Sequence, residues 1–131
     1  MAHALTLQLL PDRLAVARLD AEHPVPAWAF GGPGFVSVTR RAGELSVTCA
    51  GDRVPEGVRC WRGLRALEVP GPLDFDLTGV LASLAAPLAE ARVWIFALAT
   101  YDTDVVLVKE AQLDDAVAAL ERAGHRVSRV S

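Results

Sequence analysis

Lysine is almost absent from this chain. Lys109 is the only one in 131 residues, the other basic side chains are arginine, and the net charge is −3. No stretch clusters positive charge, so duplex nucleic acid is excluded as a main partner, because such binding displaces counterions with grouped Lys and Arg. No apolar run reaches the roughly 20 residues of a membrane-spanning helix, and no membrane partner is expected. The opening Met-Ala-His-Ala-Leu-Thr-Leu-Gln-Leu-Leu-Pro has neither a basic segment nor a cleavage site. It is therefore not read as a signal peptide, and a cytoplasmic location is expected. Cysteine is scarce too. Cys49 and Cys60 are too few and too far apart for a metal knuckle; a disulfide stays open, and two small buried thiols are the expected reading.

Catalytic signatures are also missing. There is no G-x-S-x-G, H-E-x-x-H or paired C-x-x-C, and His3, His23 and His125 are scattered, none beside Ser or Cys in a nucleophile motif. The chain is read as no enzyme, with no cofactor and no metal. Gly31-Gly32-Pro33-Gly34 is followed by no helix with a lysine and lacks the G-x-G-x-x-G order, so it reads as a plain turn before a strand.

What is present is a strongly apolar globular sequence, 52% hydrophobic and 22% charged, long enough for one ordinary domain or two small ones sharing a core. Alternation predicts strands over 5–10, 14–19, 34–40 and 44–49, with one helical turn near 27–30. A long strand follows over 59–69. Leu77, Val80, Leu81, Leu84, Leu88 and Ala91 form one helical stripe, capped by Asp76 or Thr78 and disturbed late by Pro87. Residues 93–100 are apolar on both alternating faces and predict a strand buried on both sides, one covered by helices and the other by a second sheet, a partner chain or a ligand. A turn on Asp102-Thr103 leads to a return strand over 105–108. Leu113, Ala116, Val117 and Leu120 mark a second helix with Gly124 just past its end, and 125–130 closes the chain as a strand.

Residues 59–131 thus read as βαββαβ, an α+β split βαβ unit with an antiparallel sheet and helices on one face. Residues 1–60 look like a degenerate copy whose helices are nearly lost, which places the boundary at 60/61. The doubly apolar strand and the shortage of helices predict a homodimer or higher oligomer, with Trp94 or Phe96 at the contact.

In a βαββαβ sheet the first βα loop and the middle hairpin turn lie at the same end. That gathers Asp74, Asp76 and Thr78 near Asp102 and Asp104. Amides around Leu77, Thr78 and Gly79 favour an anionic group such as an α-carboxylate, and Asp102 or Asp104 suits an ammonium. The plainer alternative is that Asp76 caps the helix and Asp102 makes the turn. As a divalent-cation site the four aspartates match no calcium-loop spacing. Trp94, Phe96 and Tyr101 read as core or dimer contacts ahead of a stacking platform.

Three stretches resemble the ACT domain: Gly71-Pro72-Leu73-Asp74-Phe75-Asp76-Leu77-Thr78-Gly79, Pro87-Leu88-Ala89, and Phe96 through Asp104 (Phe-Ala-Leu-Ala-Thr-Tyr-Asp-Thr-Asp). The branch is that of small bacterial tandem ACT proteins, aspartate kinase regulatory regions and eukaryotic arginine sensors. Leu9-Leu10-Pro11, residues 25–29, 37–40 and 44–47 are similar to the N-terminal unit of the bacterial proteins. The resemblance implies a tandem, ferredoxin-like ACT protein, non-enzymatic, that senses an amino acid and pairs side by side through sheet edges. It implies a ligand site at Asp74, Asp76, Leu77, Thr78, Gly79, Trp94, Thr100, Tyr101, Asp102 and Asp104. The chain departs from the family where Ala-Gly-Ile/Val and a small polar residue become Ala91-Arg92-Val93-Trp94, where Ser-Thr-Tyr becomes Ala99-Thr100-Tyr101, and where an aromatic becomes Val105. Trp94, far larger than serine, gives a second reading: a ligand-free interaction module whose pocket it closes.

Overall fold

The computed structural model describes residues 4–71 and 78–129. In chain order the strands are β1 (Thr6–Leu9), β2 (Leu14–Leu19), β3 (Ser37–Arg41), β4 (Glu44–Ala50), β5 (Cys60–Glu68), β6 (Ile95–Ala99), β7 (Asp104–Lys109) and β8 (Arg126–Arg129). The helices are α1 (Val80–Glu90) and α2 (Leu113–Arg122), and a 3-10 turn spans Ala27–Phe30. Among the described residues no helix is long and apolar enough to cross a membrane. The chain divides into two compact units, Asp12–Leu64 and Met1–Pro11 with Arg65–Ser131.

The unit of residues 12–64 is an antiparallel sheet in the order β3-β4-β2-β5. Alternate residues Ala15, Ala17, Leu45, Val47 and Cys49 bury one face, joined by Ala29 and Val54. Between the pairs Leu14↔Leu64 and Val16↔Trp61, β5 advances one residue more than β2. Gly63, at φ 70°, takes up that extra residue in a left-handed bulge. The Gly31–Gly34 segment is a turn filled by protein. Arg53 donates to the carbonyls of Ala29 and Pro33, and a Cβ on Gly32 would stand 2.9 Å from its guanidinium. Cys49 and Cys60 lie on the two strands that flank β2, opposite Ala15 and Ala17. Strands two apart are separated by about 10 Å, beyond disulfide reach, and both thiols are free. Burial pushes the Cys49 thiol up, against a smaller opposing pull from Arg53.

The second unit has the ferredoxin-like arrangement with one added strand. β7 lies between β5 and β6. On its other side β5 pairs with β1 (Leu9↔Leu67), and β1 runs parallel to β8 (Thr6↔Arg126 to Leu9↔Arg129). The order is therefore β8-β1-β5-β7-β6. Leu7, Leu9, Leu67, Val69, Val93, Val106 and Val108 pack against Leu84 and Leu88 of α1 and Leu113, Ala116 and Leu120 of α2. These are the alternating and helical positions of the sequence pattern.

Two expectations are corrected. The strand buried on both faces is β7, whose Val105 to Val108 are all buried, whereas β6 is half-buried at Ile95, Phe96 and Leu98 and exposed at Ala97 and Ala99. β6 pairs with β7 alone among the described strands, and an edge position leaves one flank open however apolar the sequence. The N-cap of α1 is Gly79, at φ 79° and with no side-chain cap bond, in place of Thr78; Asp76 lies outside the described residues.

Both helices end in the same way. The Val93 amide donates to the Leu88 carbonyl and the Arg92 amide to Ala89, while His125 donates to Leu120 and Gly124 to Glu121. This paired bonding needs a left-handed residue just past the helix. Gly124 supplies it at φ 99°, but after α1 the position is held by Arg92 at φ 60°. Arg92→Gly is expected to stabilise the fold by about 1 kcal/mol, because a side chain at that angle is strained. The midpoint of urea unfolding measures it.

Pro87 lies inside α1 and has no amide to give the Ser83 carbonyl. The His125 ring, buried at 3% exposure, fills the gap: its Nε2–H donates to Ser83 at 2.9 Å, and Nδ1 accepts the Leu5 amide at 3.1 Å. The two partners fix the ring as neutral, with its proton on Nε2. His125→Leu strands both groups and is expected to cost about 2–5 kcal/mol. In a Pro87→Ala background residue 87 regains an amide for Ser83, so the same change should cost less. Denaturation of the four proteins of this double-mutant cycle measures the difference.

Candidate functional site

The end of the second unit where β5 stops and β7 starts is assembled by two threonines and a glycine. The Val69 amide donates to the Asp104 carbonyl at 3.2 Å, and the Thr103 hydroxyl donates back to the Val69 carbonyl at 2.6 Å. Across the hairpin the Thr100 amide donates to the Thr103 carbonyl at 2.8 Å, and the Thr100 hydroxyl accepts the Thr103 amide at 3.2 Å. The turn thus closes on itself and is tied to the end of β5. Gly71 then passes so close that a Cβ there would lie 2.9 Å from the Asp102 carbonyl oxygen.

Val69–Gly71, which lead out of β5 into the first βα loop, lie against Asp102–Asp104. Asp74, Asp76 and Leu77 lie outside the described residues. Thr78 and Gly79 are exposed just before α1, and the Ser83 amide donates to the Gly79 carbonyl at 2.9 Å. Tyr101 stands fully exposed at the tip of the turn, Asp102 is exposed and Asp104 is half-buried. Among the described residues no three His, Cys, Asp or Glu side chains group as a metal site.

Trp94 is not brought to this end within the chain. It precedes β6 whereas Thr100 follows it, and the five residues of the strand put them about 20 Å apart. Its indole stacks on Phe96, with ring centres 6.4 Å apart, and the Lys109 ammonium sits 5.6 Å above the ring. Its amide donates to Gln112 at 3.0 Å. A pocket between loop and turn of one chain is therefore not closed by that chain's own Trp94.

Two residues that shape the site, Thr103 and Gly71, stand in the turn and motif of the sequence but were not expected as site residues. The alternation of hydroxyl and acid in Thr100-Tyr-Asp-Thr-Asp was the available signal for the first. For the second, the signal was a glycine directly after the strand-ending Val69-Pro70. Gly71→Ala is expected to push the turn off β5, because the contact is with backbone and has no flexible atom to yield. A loss of about 1–3 kcal/mol should appear in thermal unfolding, with shifted amide resonances at residues 100–104.

The chain's likenesses to known proteins follow this division. Residues 60–122 match the family model of the ACT domain, and residues 12–57 match the model of an N-terminal domain. No curated protein matches. The crystal structure of the Agrobacterium tumefaciens protein Atu0741 superposes with a TM-score of 0.93 at 38% identity, over 99% of this chain and 96% of that one. The Vibrio cholerae protein VC0802 follows with a TM-score of 0.72 at 14% identity, covering 92% and 91% of the two chains. The ligand-free regulatory subunit of aspartate kinase from Thermus thermophilus superposes at 0.64 with 13% identity, over 92% and 99%. The last two likenesses are of fold.

Proposed function

The chain belongs to the family of the Agrobacterium tumefaciens protein Atu0741 and carries an ACT domain over residues 60–122; from this premise we propose that it is a non-enzymatic regulatory protein that binds a free amino acid and works as a homodimer. The observation that carries the reading is the tied hairpin of residues 100–104, fastened to the end of β5 at Val69 and Gly71. The turn presents Asp102 and Asp104, acids for an α-ammonium or a cationic side chain. The first-turn amides of α1, preceded by an uncapped Gly79, suit an α-carboxylate. Hydrogen bonds at Thr100 and Thr103 hold the turn before ligand arrives, which lowers the ordering cost of binding. The fold likeness to an aspartate kinase regulatory subunit and the absence of a nucleophile motif favour regulation over catalysis. The supporting residues for the ligand are Thr78, Gly79, Thr100, Tyr101, Asp102 and Asp104, with Asp74, Asp76 and Leu77 of the preceding loop.

Titration calorimetry against the twenty amino acids tests this. At least one should bind the intact protein, and Asp104→Ala should cost that ligand about 2–5 kcal/mol, the penalty for leaving a buried charge without its partner. Absence of heat with every amino acid would sink the sensor reading.

A further inference from the structure

The sheet of residues 12–64 has a second face whose chemistry the core does not explain. Ala17 belongs to the core, and Cys60, its partner on β5, packs against the same cluster. Side chains alternate along a strand, so Val16, Arg18, Arg59 and Trp61 belong to the opposite face. Ser46 and Thr48 of β4 and Ser37 and Thr39 of β3 share it, because they pair in the same rows.

On that face two arginines stand side by side. The Arg18 amide donates to the Arg59 carbonyl at 2.9 Å, one step along from the Ala17↔Cys60 pair. Their Cα atoms are therefore about 5 Å apart, and like charges directly opposite destabilise an antiparallel pair. Nothing nearby offsets the repulsion. Among the described residues neither guanidinium has an ion-pair partner. Glu44, the acid on this face of β4, is held by Arg41 at 2.6 Å. Arg18 donates to the Gly43 carbonyl at 2.9 Å, which steadies the guanidinium without neutralising it. A second cost lies beside the first. Trp61, cross-strand from Val16, is 56% exposed, whereas Trp28 and Trp94 are half-buried. The bulge at Gly63 follows it directly. A Cβ on Gly63 would meet nothing within 4 Å, so the glycine is needed for its φ of 70° and not for space. Such bulges re-aim neighbouring side chains and are frequent beside binding sites.

An exposed indole offers a face for a planar ring, and paired guanidiniums offer forks for an anion. Surfaces that hold nucleotides combine these two elements. A phosphate monoester carries nearly two negative charges near neutral pH, one for each arginine, where a carboxylate carries one. Trp61 and Arg59 are two residues apart on one strand, about 7 Å, so ring and phosphate can be joined through a sugar. Ser46 and Thr39 extend the Arg18 row with hydroxyl groups. There is one stacking residue and one arginine pair, enough for a single nucleotide and not for a strand.

We propose that this face binds a mononucleotide, with the base stacked on Trp61 and the phosphate held by Arg18 and Arg59. The site lies within residues 12–64 and does not depend on the amino-acid reading of the hairpin turn.

Calorimetry on the whole chain with adenosine monophosphate as probe tests it. The nucleotide should bind at one site per chain. Adenosine and inorganic phosphate should each bind at least tenfold more weakly, because each keeps only one half of the contact. Arg59→Gln and Trp61→Leu should each weaken the nucleotide about tenfold or more, while Trp61→Phe, which keeps a ring, should retain most of the affinity. Arg59→Gln should leave the melting midpoint unchanged or raise it, since it removes a like-charge contact; a structural arginine would lower it. No binding of the nucleotide by the intact protein overturns the proposal. So does inorganic phosphate binding as tightly as the nucleotide, or Arg59→Gln binding it undiminished. A short single-stranded oligoadenylate that binds where the mononucleotide does not would assign the face to nucleic acid and overturn it too.

Discussion

A single carbonyl without its helical donor organises the second unit. Pro87 deprives Ser83 of its usual partner in α1, and the buried His125 ring repairs the loss while its other nitrogen takes the Leu5 amide. One neutral imidazole therefore joins a helix, the approach to β1 and the residue that opens β8. The Arg126 amide adds a bond to the Leu5 carbonyl at 2.8 Å beside it. The insertion of β1 between β5 and β8 and the docking of α1 over the sheet are secured at one point. The core of leucines and valines supplies the bulk of the burial, but burial is indifferent to which strand lies where. Directional bonds of this kind select the arrangement.

At the turn fastened to the end of β5 the logic is the same on a smaller scale. Hydroxyl and backbone groups of Thr100 and Thr103 close the hairpin and fasten it to Val69, and Gly71 lets the chain pass within contact of Asp102. A turn fixed in this way can offer charge without first being ordered. That suits the proposed binding of a small molecule.

Most of the elements were legible because burial writes its period into the sequence. The 14–19 and 44–49 alternations, the leucine stripe of α1 and the Gly124 stop all produced the elements they announced. Three features were not legible. Apolar residues at both parities of 93–100 spoke of cover on two sides, yet in the chain β6 is an edge and β7 is the enclosed strand; composition records that a surface is covered, not by what. The start of α1 displayed two good capping side chains but begins on Gly79, because a left-handed glycine leaves no mark beyond its identity. The short alternation of residues 5–10 identified β1 as a strand and gave no sign that it leaves its neighbours in sequence to pair with β5 and β8. For the site, the acids were visible by type, whereas Thr103 and Gly71 matter through geometry. The distance of Trp94 from Thr100 follows only once the strand between them is known to be straight and unbroken.

The threading of β1 has a consequence for how the molecule is made. Residues 12–64 form a unit whose contacts are local in sequence, so it can condense as soon as it leaves the ribosome. Thr6–Leu9, synthesised earlier, must wait for β5 on one flank and for Arg126–Arg129 on the other. The first strand of the chain and the last are thus mutual prerequisites, and closing so long a loop is slow compared with pairing neighbours. Until β8 is made, Leu7 and Leu9 are apolar side chains on a strand that lacks one of its partners.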